Sequence, residues 1–132
     1  MDDFTLIKAM AVAAFYGGLR TIQVVHSEYT LSMKEELLLM FHELVTMFMI
    51  MGIFFTDRSY IIFHAVVTAL VGMQWVALGG NCILTIIKRQ TIPYTDEDFV
   101  RIYGTEDGKK FSFFSVVGLG IAIDAYKLLL GN

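Results

Sequence analysis

From Tyr60 to Ile87 the chain runs without a single Asp, Glu, Lys or Arg. As a helix rising 1.5 Å per residue, this stretch would reach about 42 Å. The hydrocarbon core of a bilayer is about 30 Å thick and takes roughly 20 apolar residues to cross. A charge-free run of this length therefore predicts a membrane span with some tilt or overhang. Asp57 and Arg58 mark one end of it, and Lys88 and Arg89 mark the other.

Three further segments have a similar character. Leu37 to Phe55 is apolar apart from His42 and Glu43, and only the 56–59 link separates it from the first run. So short a link predicts an antiparallel helical hairpin. Phe111 to Leu130 is apolar except for Asp124 and Lys127 near its end, where a lysine can snorkel to the interface. Phe4 to Val25 has the shortest apolar heart, Ala9 to Leu19, bounded by Lys8 and Arg20. It reads as a first span, with a helix lying in the interface as the alternative. Asp2 and Asp3 make its start acidic, unlike a cleavable signal.

The expected fold is thus all-α, a single polytopic transmembrane bundle over residues 1–132. Four helices are predicted, at about 4–25, 37–55, 60–87 and 111–130, with a polar loop at 88–110. Composition agrees: 56% of residues are hydrophobic and 17% charged, against a typical 45–50% and about 25% in soluble domains. The one proline, Pro93, falls in the loop. Thr95 followed by Asp96, Glu97 and Asp98 has the pattern of a helix N-terminus, predicting a short helix to Tyr103. The loop carries Lys88, Arg89, Arg101, Lys109 and Lys110, and the 56–59 link carries only Arg58. The positive-inside bias places the loop on the cytoplasmic-equivalent side and, with four spans, both termini opposite. Which membrane is involved stays open.

The sequence excludes several function classes. With 10 Lys and Arg against 13 Asp and Glu, the net charge of −3 argues against nucleic acid as a partner. One cysteine, Cys82, allows neither an intrachain disulfide nor a multi-cysteine metal site. No phosphate loop, G-x-S-x-G or H-E-x-x-H motif is present. No catalytic residue and no metal ligand set is predicted.

What remains is a small group of polar residues inside apolar segments, where they are costly. His42, Glu43, His64, Gln74, Asn81 and Asp124 are the candidates. Counting from the 56–59 corner, His64 matches the depth of Met51, and His42 that of Met73 or Gln74. The two histidines then differ in depth by roughly 13 Å, too far to serve as the two axial ligands of one haem. A His42–Gln74 hydrogen bond across the hairpin is expected instead. On the third helix, His64, Thr68, Val71, Trp75, Leu78 and Cys82 share one face. Gln74, Asn81 and Thr85 form a strip beside it. With Cys82 these make a polar stripe that most often serves as interhelical glue. The sharper alternatives are a haem- or quinone-type redox site on His42 and His64, and a small channel or transporter lined by His42, Glu43 and Asp124. Small-xxx-small pairs at Ala14/Gly18, Ala65/Ala69, Thr68/Gly72 and Gly118/Ala122 predict close helix approach.

His42, Gly52, His64 and the run Gly79-Gly80-Asn81-Cys82-Ile83-Leu84-Thr85 resemble a family of small bacterial membrane proteins of unknown function. That family shows a His, a Gly about ten residues on, a second His, and G-x-x-C-P-L-T. The resemblance extends over His42 to Arg89. Ile83 stands in place of the family's proline, and Lys88 where a glutamate is usual. It implies a polytopic helical fold and a role for the His/Cys set, and it implies no activity. The sequence as a whole predicts a small non-catalytic accessory subunit of a larger membrane assembly, of organellar respiratory type or in the inner membrane of a virion. Its partners would be lipids and other membrane subunits or further copies of itself. No cofactor is predicted; haem or lipid are the candidates should one bind.

Overall fold

The computed structural model describes residues 2–26, 32–78 and 106–131. They form four α-helices and no strand: α1 (Asp3–His26), α2 (Met33–Met51), α3 (Arg58–Ala77) and α4 (Glu106–Leu129). A single 3-10 turn, Gly52–Phe54, follows α2 directly. The all-α expectation holds.

Local sequence chemistry explains where the helices begin and end. Ser32 and Glu35 form a reciprocal capping box at the start of α2. The Ser32 hydroxyl accepts from the Glu35 N–H, and the Glu35 carboxylate accepts from the Ser32 N–H at 3.0 Å. Asp57 caps α3, its carboxylate accepting from the Ser59 N–H at 2.9 Å. α3 ends at Ala77 with Leu78 as its cap, before the glycine pair Gly79-Gly80. The predicted helix to Ile87 is therefore shorter within the described residues; its remainder lies outside them, as do Asn81, Cys82, Thr85, Pro93 and the short helix predicted over 96–103. α4 starts at Glu106, not at Phe111, and so takes in the polar end of the predicted loop. Hydropathy marks where a helix enters lipid, and α4 is longer than that stretch.

Three stretches are long and apolar enough to cross a membrane: Met33–Phe54, Arg58–Ala77 and Phe111–Leu129. α1 is not among them, although at 24 residues it is one of the two longest helices.

The chain runs up and down. The start of α1, the end of α2, the start of α3 and the end of α4 all meet at one corner, so both ends of the described chain lie beside the 56–59 link. The predicted α2–α3 hairpin is present as a connection, but these two helices are not the closest pair. α1 packs along α2, and α3 along α4. The rings of Phe48, Phe55 and His64 fill the angle between α2 and α3. The apolar core at this corner is Leu6, Met10, Phe55 and Ile61, with Ile7, Phe48, Met51 and Leu128 packed around it. At the far end of the α3–α4 pair, Trp75 stacks on Phe113 at 4.4 Å and meets Phe114 edge-on.

Small residues set the close approaches, though not all the predicted ones. Ala14 and Gly18 are buried, and Gly18 lies beneath Met40 of α2. Gly72 faces Val117 of α4. Gly118 and Ala122 instead point away from the bundle, and a Cβ on Gly118 would meet nothing. The glycine of α4 that faces inward is Gly120, whose Cβ would lie 3.6 Å from the His64 ring.

Candidate functional site: a buried histidine–aspartate pair under a laced corner

His64 and Asp124 are both fully buried and touch each other, Nδ1 to Oδ2 at 2.5 Å. The other ring nitrogen, Nε2, lies 3.0 Å from the Met49 carbonyl oxygen. A carbonyl only accepts, so Nε2 must carry a hydrogen and donate it. Met49 is within the last turn of α2, where carbonyls lack an intrahelical partner, so this bond caps the helix. One further proton is shared between Nδ1 and Oδ2. Gly52 makes the arrangement fit. A Cβ there would fall 2.6 Å from Nε2 and 2.8 Å from Cγ of the ring. Asp124 Oδ1 is buried without a hydrogen bond among the described residues.

Above the pair, the corner is laced by two charged side chains from opposite ends of the described chain. The Lys127 ammonium donates to the carbonyls of Ile53 and of Phe55, the latter at 2.8 Å. The Asp3 carboxylate accepts from the backbone N–H of Thr56 at 3.0 Å, from the Thr56 hydroxyl at 3.0 Å and from the Asp57 N–H at 2.7 Å. Burial by itself would push the Asp3 carboxyl upward. The N–H bonds from Asp57 and Thr56, the Thr56 hydroxyl and the Lys127 charge outweigh it and hold Asp3 below the usual carboxylate value.

Thr68 completes what looks like a nucleophile–histidine–acid order, its Oγ1 lying 3.5 Å from His64 Nε2. The geometry does not support catalysis. Nε2 holds a hydrogen that it donates to Met49, so it cannot take one from Thr68. Thr68, His64 and Asp124 are all 0% exposed, which closes them to substrate. The same bonds bear on the cofactor expectation for His64: both ring nitrogens are occupied, and neither is presented to a haem or metal. Among the described residues no group of three or more His, Cys, Asp or Glu is placed to hold a metal ion.

The other predicted residues within the described chain lie outside this pair. His64 lies at the depth of Met49 and Gly52, as counting from the corner implies. His42 is half-buried on α2, and its carbonyl accepts from the Thr46 hydroxyl. The Gln74 side-chain amide donates to the Val71 carbonyl of its own helix at 2.9 Å. The face shared by His64, Thr68 and Trp75 is buried, whereas Leu78 on the same face is exposed. Glu43 packs against α1, where a Cβ on Gly17 would come 2.5 Å from its Oε1.

Nothing in the sequence marks Asp3 and Lys127 as site residues, and the cost of a polar group in an apolar segment marks His64 and Asp124 only one by one. A depth count puts the two at one level of the bundle without saying that they touch. His64 is six residues into α3 from Arg58, and Asp124 lies five residues before the end of α4 at Leu129, at the same end of the bundle.

Compared with known protein families, with curated proteins and with solved structures, the chain matches none. The resemblance to the bacterial family therefore stays an expectation. Its glycine-rich Cys segment, 79–85, lies outside the described residues. The Gly52–His64 contact does supply a physical reason for that glycine and that histidine to occur together.

Proposed function

We propose that this chain is a multi-pass membrane protein that acts as a non-catalytic accessory subunit of a larger membrane assembly. One observation carries the reading. The strongest polar contacts turn inward onto the chain's own backbone and onto one another, while the outward faces are large, apolar and uncovered. Only 17%, 22% and 11% of the residues in the three span windows are buried within the chain. Phe41, Phe63, Leu70, Met73, Val76, Leu119 and Tyr126 all stand exposed. In water such a surface would be a severe aggregation liability; in a bilayer it is cover for lipid or a neighbouring subunit.

α1 is included in the membrane-crossing bundle despite its composition. It packs antiparallel along α2, from Asp3 at the corner to Gly17 and Gly18 beside Glu43 and Met40. A helix laid along a span shares that span's depth. Lys8 and Arg20, both exposed, then snorkel toward opposite surfaces. This gives four crossings and puts both termini on one side of the membrane.

The test is gentle detergent extraction from native membrane, followed by native mass analysis with an absorption spectrum. Co-migration with a large assembly, at fixed stoichiometry and without colour arising from this chain, is the expected result. A free small oligomer carrying a stoichiometric chromophore would overturn it in favour of a redox protein. The partners recovered would distinguish a respiratory-type complex from a virion membrane.

A further inference from the structure

We propose that α1 is a conditional span: it crosses the membrane only while clasped to α2, and once released it lies at the surface from which α2 starts. This rests on the four-crossing reading, in which α1 shares the depth of α2. α1 brings little of its own toward crossing. It is not among the stretches apolar enough to span. Its uncharged heart, Ala9 to Leu19, rises about 16 Å, roughly half of a hydrocarbon core about 30 Å thick. Lys8 and Arg20 bound that heart, and Thr5, Thr21 and Gln23 add polar groups toward its ends. A helix of this make-up, taken alone, suits the interface, where its charged ends reach water.

What holds α1 across the membrane is contact. It lies along α2 and along no other helix. Leu6, Met10, Ala14 and Gly18 bury one stripe of it at successive turns. The clasp has two points. At the corner, the Asp3 carboxylate accepts from the Thr56 and Asp57 N–H groups and from the Thr56 hydroxyl. Among the described residues these are the polar ties of α1 to the other elements. At mid-helix, Gly17 and Gly18 bring the bare backbone of α1 against Glu43 and Met40. A Cβ on Gly17 would stand 2.9 Å from the Glu43 carboxyl carbon, and one on Gly18 would strike the Met40 sulfur. Both points are local, so a few atoms decide whether α1 stays docked. Release uncovers the Met40 and Glu43 side of α2 for a neighbouring helix of the assembly.

Release also has a geometric signature. The end of α1 and the start of α2 lie together, away from the corner. A released α1 stays with the start of α2. Asp2 then moves from the corner side of the membrane to the opposite side, while Gly131 keeps its place.

The test labels Asp2→Cys and Gly131→Cys, each in a Cys82→Ser background, with a membrane-impermeant maleimide in sealed phosphatidylcholine vesicles. It compares the otherwise native chain with one that also carries Asp3→Ala, Gly17→Leu and Gly18→Leu. All three changes make α1 more apolar, so a self-sufficient span would only be strengthened by them. In the native background both thiols are expected to react from one side. In the triple variant the Asp2→Cys thiol should shift to the other side in most copies, with the Gly131→Cys thiol unmoved. The fluorescence of Trp75, which stacks on Phe113 within the α3–α4 pair, should not change. An Asp2→Cys thiol that stays on the Gly131 side in the variant means that α1 spans by itself and overturns the proposal. A shift accompanied by loss of the Trp75 signal overturns it too, because α1 would then be inseparable from the bundle. Opposite sides already in the native background would remove the four-crossing reading instead.

Discussion

At residue 52 any side chain would strike the His64 ring, and that ring has no room to yield. It is tied on one side to Asp124 and on the other to Met49. Gly52→Ala is therefore expected to destabilise the protein by about 1–3 kcal/mol or more through overpacking. Gly118→Ala, where nothing lies within 4 Å, should be neutral or gain up to about 1 kcal/mol from helix propensity. Unfolding of both variants in mixed micelles by increasing denaturing detergent checks the contrast, and equal effects would refute the packing account. His64→Ala leaves Asp124 and the Met49 carbonyl buried without their partner, at a cost of about 3–5 kcal/mol. Replacing both members of the pair with leucine removes the need for pairing. The double variant should recover most of that loss in the same unfolding assay. A double variant as unstable as His64→Ala would mean that the pair does more than satisfy itself.

At the scale of the elements, the corner is built from backbone groups that the turn itself leaves open. The Ile53 and Phe55 carbonyls and the Thr56 and Asp57 N–H groups have no helical partners, and Lys127 and Asp3 supply them. Lys127→Met keeps the length of the side chain and removes the donor. It should loosen the α2–α3 corner, read as faster hydrogen exchange at Phe55 to Asp57 while the α1–α2 contact at Gly18 is unchanged. Asp3 adds a pH dependence of definite sign. Its carboxyl is held below the ordinary 3.8, so the folded state favours the charged form. That stabilisation is fully present above about 3.8 and is lost as pH falls through the lower folded-state value. Acid unfolding in micelles should therefore show a component in that window which Asp3→Asn abolishes. An identical acid profile in the variant would refute the assignment.

How far the elements could be read in advance follows from what each signal measures. Apolar length announces a candidate span, which is why α2, α3 and α4 are legible. It does not announce helix ends. The α2 start at Met33 was written in the Ser32–Glu35 spacing, four residues before the apolar run. The α4 start at Glu106 was not, because Glu106 to Lys110 is polar helix beyond the apolar stretch. The polar residues of the site were legible as costly, one by one. Their pairing was not, because it depends on which helices pack closest. A link as short as 56–59 fixes direction without fixing proximity, and α3 chose α4. Lys127 looked like an interfacial anchor because nothing in sequence marks the turn carbonyls it reaches.

For the whole molecule the decisive quantity is the number of crossings. If α1 spans with α2, both ends of the chain face the same compartment. Single cysteines placed at Asp2 and at Gly131, in a Cys82→Ser background, should both react with a membrane-impermeant maleimide from one side of sealed vesicles. Opposite sidedness would make α1 an interfacial helix and the protein a three-span one. The resemblance to the bacterial family would be strengthened or lost by the 79–85 segment, whose Cys82 the same experiment removes.

The corner also imposes an order on manufacture. Asp3 belongs to a helix that leaves the ribosome well before the one carrying Asp124 and Lys127. Until α4 arrives, His64 has no acid, and the Ile53 and Phe55 carbonyls have no ammonium. A nascent chain stalled after α3 would present those bare groups to lipid or to the insertion machinery. Completion of the bundle is thus chemically distinguishable from its absence. A membrane protease that recognises exposed intramembrane polar groups could sort finished copies from truncated ones by this corner alone.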